Sequence, residues 1–126
     1  MNVNRPDHFL DTLEEALKHY QDAQWLGEHS PLATPYFLGA RLPADKNTPS
    51  ARGRLLQQLL QQACQQIDEQ TSSKYSDRYR NLLQEYYLRN RPAHIVGDEL
   101  GLSRNVFHIS RNGAIEALAT TVAQLL

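Results

Sequence analysis

The chain has 126 residues, 40% hydrophobic and 21% charged, which suffices for one globular domain, or two small helical ones, with an apolar core and no covalent staples. A mean hydropathy of −0.59 and the lack of a long apolar run exclude a transmembrane span, MNVNRPDHF lacks a signal-peptide profile, and a single cysteine, Cys64, excludes an internal disulfide or a cysteine-rich zinc site; the expectation is a cytoplasmic protein. Thirteen basic and fourteen acidic residues do not mark the whole chain as a nucleic-acid binder, but residues 1–73 carry 6 basic and 9 acidic side chains and residues 74–126 carry 7 and 5, which places any anionic partner on the C-terminal side.

From Pro6 to Asp22, Phe9, Leu10, Leu13, Leu17 and Tyr20 recur at three- and four-residue spacing opposite Asp11, Glu14, Glu15 and Lys18, which predicts an amphipathic helix. Between Ala23 and Asn47, Gly27, Pro31, Pro35, Gly39 and Pro43 are too closely spaced for a long helix. Trp25, Tyr36 and Phe37 among them predict an ordered connector with its aromatic rings packed on neighbouring helices. The run ADKNTPSARG reads as a solvent-facing loop leading into a helix that starts at Thr48 or Ser50. That helix, about Pro49 to Gln70, buries Leu56, Leu59, Leu60, Ala63 and Ile67, and its many glutamines read as uncharged helix formers on the other faces. Thr71-Ser72-Ser73 reads as a hinge, dividing the chain into an N-terminal helical region, 1–73, and a C-terminal domain, 74–126.

The C-terminal part predicts three helices: Ser76 to about Asn90 with a stripe of Tyr79, Leu82, Leu83, Tyr86 and Tyr87; Pro92 to Leu100; and Ser103 to near the end. In AHIVGDELGLSRNVFHISRN, with Ala93 as position one, a small residue stands at five (Gly97), glycine at nine (Gly101), and apolar residues at four, eight, ten and fifteen (Val96, Leu100, Leu102, Phe107). This is the helix-turn-helix pattern: Gly97 allows the helices to approach, Gly101 supplies a positive φ for the turn, and Ser103 caps the second helix. Position eighteen departs, being Ser110 where an apolar residue is usual.

With its preceding helix DRYRNLLQEYYL, residues 77–120 resemble the C-terminal, region-four helix-turn-helix domain of bacterial sigma factors and the related LuxR-like regulators. The likeness is carried by Tyr79, Leu82, Leu83, Tyr87, Leu88, DELGLS and IEAL. It implies an all-α helical bundle with a C-terminal tri-helical unit that binds double-stranded DNA in transcriptional control. Ser103, Arg104, Asn105, His108, Ile109 and Asn112 would then face base edges, and Arg91 and Arg111 would hold phosphates. The residue types suit the task, since arginine pairs with guanine, asparagine with adenine and isoleucine with a thymine methyl, and no acidic residue lies between Leu100 and Ala114. The layout of the N-terminal half is loosely similar to N-terminal regions of large bacterial signalling ATPases and regulators. The alternative is therefore a protein-interaction adaptor of a larger bacterial signalling or defence system, with Val106, Ile109 and the N-terminal aromatics as its contact surface. A positive stripe joining Arg91, Arg104 and Arg111 would favour DNA, and an apolar patch around Ile109 would favour protein.

The remaining residues carry no catalytic pattern. His8, His19, His29, His94 and His108 lack metal-ligand spacing, Cys64 reads as a small buried residue, and neither a nucleophile elbow nor a phosphate-cradling glycine loop is present. The expectation is a non-enzyme with no metal or cofactor. The apolar residues Ala114, Ile115, Leu118, Thr121, Val122, Leu125 and Leu126 exceed what a three-helix unit needs, so this stripe is expected to meet either a second copy, in a homodimer that would double the sparse phosphate contacts, or the N-terminal helices of the same chain.

Overall fold

In a computed structural model describing residues 6–68 and 73–125, every regular element is helical and no strand occurs among the described residues, as the all-α expectation requires. No helix among them is long and apolar enough to cross a membrane. The chain divides into two compact units, residues 1–60 and 61–126.

The first unit begins with α1, Pro6–Lys18, which buries Leu13, Ala16 and Leu17. The helix stops four residues short of the expected Asp22, because residues 19–21 turn and Asp22 is used to start the next helix, its carboxylate accepting from the Trp25 N–H at 3.0 Å. The expected connector thus opens with a helix, α2, Ala23–His29, followed by the single turn α3, Pro35–Leu38, which Thr34 caps by accepting from the Phe37 N–H at 3.2 Å. Leu26, Leu32, Ala33 and Leu38 are buried, and Trp25 stacks on His19 with ring centroids 3.5 Å apart. Tyr36 departs from the packed arrangement expected of the aromatics: it is 97% exposed, because the capped turn leaves it pointing outward while Leu38 turns inward.

Thr48 starts α4, Pro49–Gln66, by accepting from the Ala51 N–H at 3.2 Å. The ARG end of the expected loop therefore lies inside this helix, and Gly53 is buried. The reason is a crossing of α2 and α4 at backbone distance. A Cβ on Gly53 would sit 2.9 Å from the Ala23 Cα, and one on Gly27 would sit 2.7 Å from the Pro49 Cα, so only glycine fits at either position. Arg52 donates to the Gly27 carbonyl at 3.1 Å and Gln57 to the Tyr20 carbonyl at 2.6 Å, satisfying polar groups around the crossing. The expected apolar face of α4 is buried, Cys64 included, with each leucine contributing about 2 kcal/mol. The helix ends at Gln66 rather than Gln70. Gln70 and the Thr71-Ser72 part of the expected hinge, like Leu126, lie outside the described residues.

In the second unit, α5, Ser76–Leu82, runs on into a π-helical segment, Leu83–Leu88, where the sequence predicts a continuous α-helix. Leu82, Leu83, Tyr87 and Leu88 are buried and Tyr79 and Tyr86 are half-buried, so the wider turn shifts the stripe toward Leu88. Asn90, at φ 55°, then turns the chain into α6, Ala93–Leu100, which a second turn at Gly101 separates from α7, Arg104–Leu125. α7 packs along α5, with Gly113 receiving the Tyr79 ring. Of the apolar stripe expected to need a further covering surface, Ala114, Ile115, Leu118, Thr121 and Val122 are buried within one chain and Leu125 is half-buried.

Candidate functional site

The site grows from the two turns flanking α6. At the first, Asn90 takes the left-handed conformation that asparagine tolerates, and the Arg91 N–H reaches back to the Glu85 carbonyl at 3.1 Å. At the second, Gly101 has φ 70° and ψ 32°, and the Leu102 N–H bonds the Gly97 carbonyl at 2.8 Å, closing α6 with a left-handed glycine cap. Ser103 then caps α7, its hydroxyl accepting from the Val106 N–H at 3.3 Å. α6, the turn and the first coil of α7 are thereby held as one piece.

Beneath them lies a small apolar centre. Val96 and Phe107 are buried and Leu100 and Leu102 half-buried, while the Tyr86 ring meets Phe107 edge-on with centroids 5.4 Å apart. Gly97 faces Phe107 with room for a methyl group, a Cβ there lying 3.6 Å from the nearest ring carbon. Ser110, at the position where an apolar residue is usual, is buried, with 3% exposure.

Outward, α7 presents Arg104, Asn105, His108, Ile109 and Asn112 on consecutive turns, all exposed. At about 100° per residue they fall within an arc of roughly 140°, opposite the buried Phe107, Ser110 and Ala114. Ser103 is exposed at the head of this face. Arg104 and Phe107 line two shallow grooves of about 470 and 450 Å³. Ile109 is 68% exposed and Val106 38% exposed.

The two phosphate candidates are held differently. Arg111 is half-buried, and its Nη2 lies 2.9 Å from His108 Nδ1. An arginine can only donate, so His108 Nδ1 is the acceptor in this contact. Arg91 is ion-paired, with Nη1 2.6 Å from Glu85 Oε1 and 2.8 Å from Glu99 Oε1, and Nη2 2.5 Å from Glu99 Oε2. Glu85 also meets Arg89 at 3.2 Å. Accepting hydrogen bonds from Arg91 holds the Glu85 and Glu99 carboxyls below the usual carboxylate range, and donating to Glu99 and then to Glu85 holds the Arg91 guanidinium above its ordinary value.

Positive charge on this face thus rests on Arg104 and Arg111, with Arg91 neutralised. The two glutamates escape a sequence reading because they stand six and eight residues from Arg91, outside the helical i,i+4 spacing, and meet it only through the turn at Asn90. No protein-family model, curated protein or solved structure matches this chain.

Proposed function

We propose that this protein binds double-stranded DNA through a helix-turn-helix formed by α6, the Gly101 turn and α7, as a transcriptional regulator. The observation that carries this reading is the outer face of α7: Ser103, Arg104, Asn105, His108, Ile109 and Asn112 project together from a helix end that carries no carboxylate from Gly101 to Gly113. Such a helix fits a major groove about 12 Å wide, and its side chains include a guanine reader, adenine readers and a thymine-methyl contact. Arg111 supplies a phosphate contact. Arg91, the second phosphate candidate, would have to exchange two carboxylates for a phosphate. With so few cations, binding is expected to be weak, with only a shallow dependence on salt.

The test is fluorescence anisotropy of a labelled mixed-sequence duplex at low salt, with Arg104→Ala/Arg111→Ala as the comparison. Binding that weakens as salt rises and disappears in the double variant supports DNA recognition. Equal silence of parent and variant at tens of micromolar refutes it and moves the search to protein partners.

The exposure of Ile109, Val106 and Tyr36 favours a second reading, a protein-interaction adaptor in which the helix pair is a scaffold. Under that reading Ile109→Ser would abolish partner capture, whereas under the first it would alter base preference and leave the salt dependence unchanged.

A further inference from the structure

We infer that Arg91 is a positioning residue, which ties the end of the π-helical segment to α6 and so sets where the reading face of α7 is presented. The inference rests on the DNA-binding reading for its consequence, but the tie itself belongs to the free protein. Both terminal nitrogens of the guanidinium are engaged, Nη2 with one oxygen of Glu99 and Nη1 with the other oxygen of Glu99 and with Glu85. The pairing with Glu99 is bidentate, the geometry in which an arginine–carboxylate contact is most specific. The backbone of the same residue is anchored too, through its N–H to the Glu85 carbonyl. Arg91 and Glu85 are half-buried, with side-chain exposures of 29% and 22%, while Glu99 is 53% exposed, so the arm to Glu85 is shielded and the bidentate arm to Glu99 faces solvent.

Glu85 belongs to the π-helical segment and Glu99 to the last turn of α6, so the guanidinium spans the turn at Asn90 from both sides. α6 is locked in turn to the start of α7 by the Gly101 and Ser103 caps. A change of α6 relative to the π-helical segment would therefore move the Gly101 turn and strain the head of the reading face, Ser103 and Arg104, against the packing of α7 along α5. A phosphate approaching Arg91 would meet two carboxylates at the same guanidinium, and their repulsion opposes the contact that the sequence pattern assigns to this residue.

The experiment compares the parent chain with Arg91→Lys, Arg91→Gln and Glu99→Gln. In the free protein, amide hydrogen exchange across α6 is expected to quicken about two- to fivefold in all three, because an ammonium lacks the fork that reaches both glutamates. Unchanged exchange overturns the tie, whether or not DNA binds. With DNA, a positioning role predicts that Lys and Gln at position 91 lower affinity alike, with the slope of log affinity against log salt unchanged. A phosphate ligand predicts parental affinity for Arg91→Lys and a slope shallower by about one for Arg91→Gln. That second pattern overturns the proposal. A parent that binds no duplex refutes the DNA reading alone, and the exchange data still decide whether the tie exists.

Discussion

Replacing Gly53 by alanine should be among the most destabilising single-methyl additions available to this protein. A Cβ at that position would lie 2.6 Å from the carbonyl carbon and 2.9 Å from the Cα of Ala23, and closer still to the carbonyl oxygen. All three atoms are backbone, so no rotamer change relieves the clash and α2 must withdraw from α4 by about an ångström. A gap of that size forfeits roughly a quarter to a half of the dispersion energy across a contact, and both helices carry fully buried leucines, Leu26 on α2 and Leu56 on α4. It also stretches the bonds from Arg52 to the Gly27 carbonyl and from Gln57 to the Tyr20 carbonyl. Overpacking of about 3 kcal/mol, the upper end for added methyls because backbone must move, plus loss of about 1 kcal/mol of hydrogen bonding, is offset by about 1 kcal/mol of alanine helix propensity. The net expectation is about 3 kcal/mol of destabilisation, or roughly a 10 °C fall in midpoint temperature. Urea and thermal unfolding followed by far-UV circular dichroism measure it, with Gly97→Ala as control. That methyl would meet its neighbours at 3.5 and 3.6 Å and should be neutral or stabilising by up to about 1 kcal/mol. A Gly53→Ala protein as stable as its parent would refute the close backbone crossing.

Burial pushes the Cys64 thiol up to about 12, so its thiolate fraction near pH 8 should be about a thousandfold below that of an ordinary cysteine, and Ellman's reagent should react only as the protein unfolds. The Glu85 and Glu99 carboxyls are held low in the folded protein, so their pairing with Arg91 contributes stability above the ordinary carboxylate range and loses it as pH falls through their lowered values. The urea midpoints of parent and Arg91→Gln should accordingly differ at pH 7 and converge in acid, and a pH-independent difference would contradict the pairing. Leu118→Ala should cost about 2–5 kcal/mol, and Ile109→Ser less than about 0.5 kcal/mol, because the first side chain is fully buried and the second largely exposed. Since one chain already buries Ala114, Ile115, Leu118, Thr121 and Val122 of the α7 stripe, sedimentation at tens of micromolar should give a monomer, and a dimer would overturn this expectation.

Where local chemistry decides the structure, the sequence is legible. Thr48 and Ser103 cap the helices that they precede, Gly101 takes the left-handed turn, and the apolar face of α4 is buried as its period requires. Where the deciding partner is distant in sequence, it is not. Gly53 reads as part of a polar loop because nothing near it announces Ala23, thirty residues earlier, against its backbone. The π-helical segment has no sequence signature of its own, and one extra residue in a turn is enough to move the buried stripe toward Leu88 and to place Glu85 where Arg91 can reach it. At the candidate site, the exposure of the α7 residues follows from helical period alone. The state of Arg91 depends on two glutamates that period does not connect to it.

The stacking of His19 on Trp25 has a practical consequence. Trp25 is the one tryptophan of the chain and lies in the unit spanning residues 1–60, whereas Tyr75, Tyr79, Tyr86 and Tyr87 all lie in the unit spanning residues 61–126. Selective excitation near the red edge of protein absorption therefore reports on one unit and is blind to the other, while backbone ellipticity sums both. Superimposable denaturation curves from the two signals would mean that the units melt as a single cooperative body, and separated curves would assign the tryptophan transition to the first unit without cutting the chain.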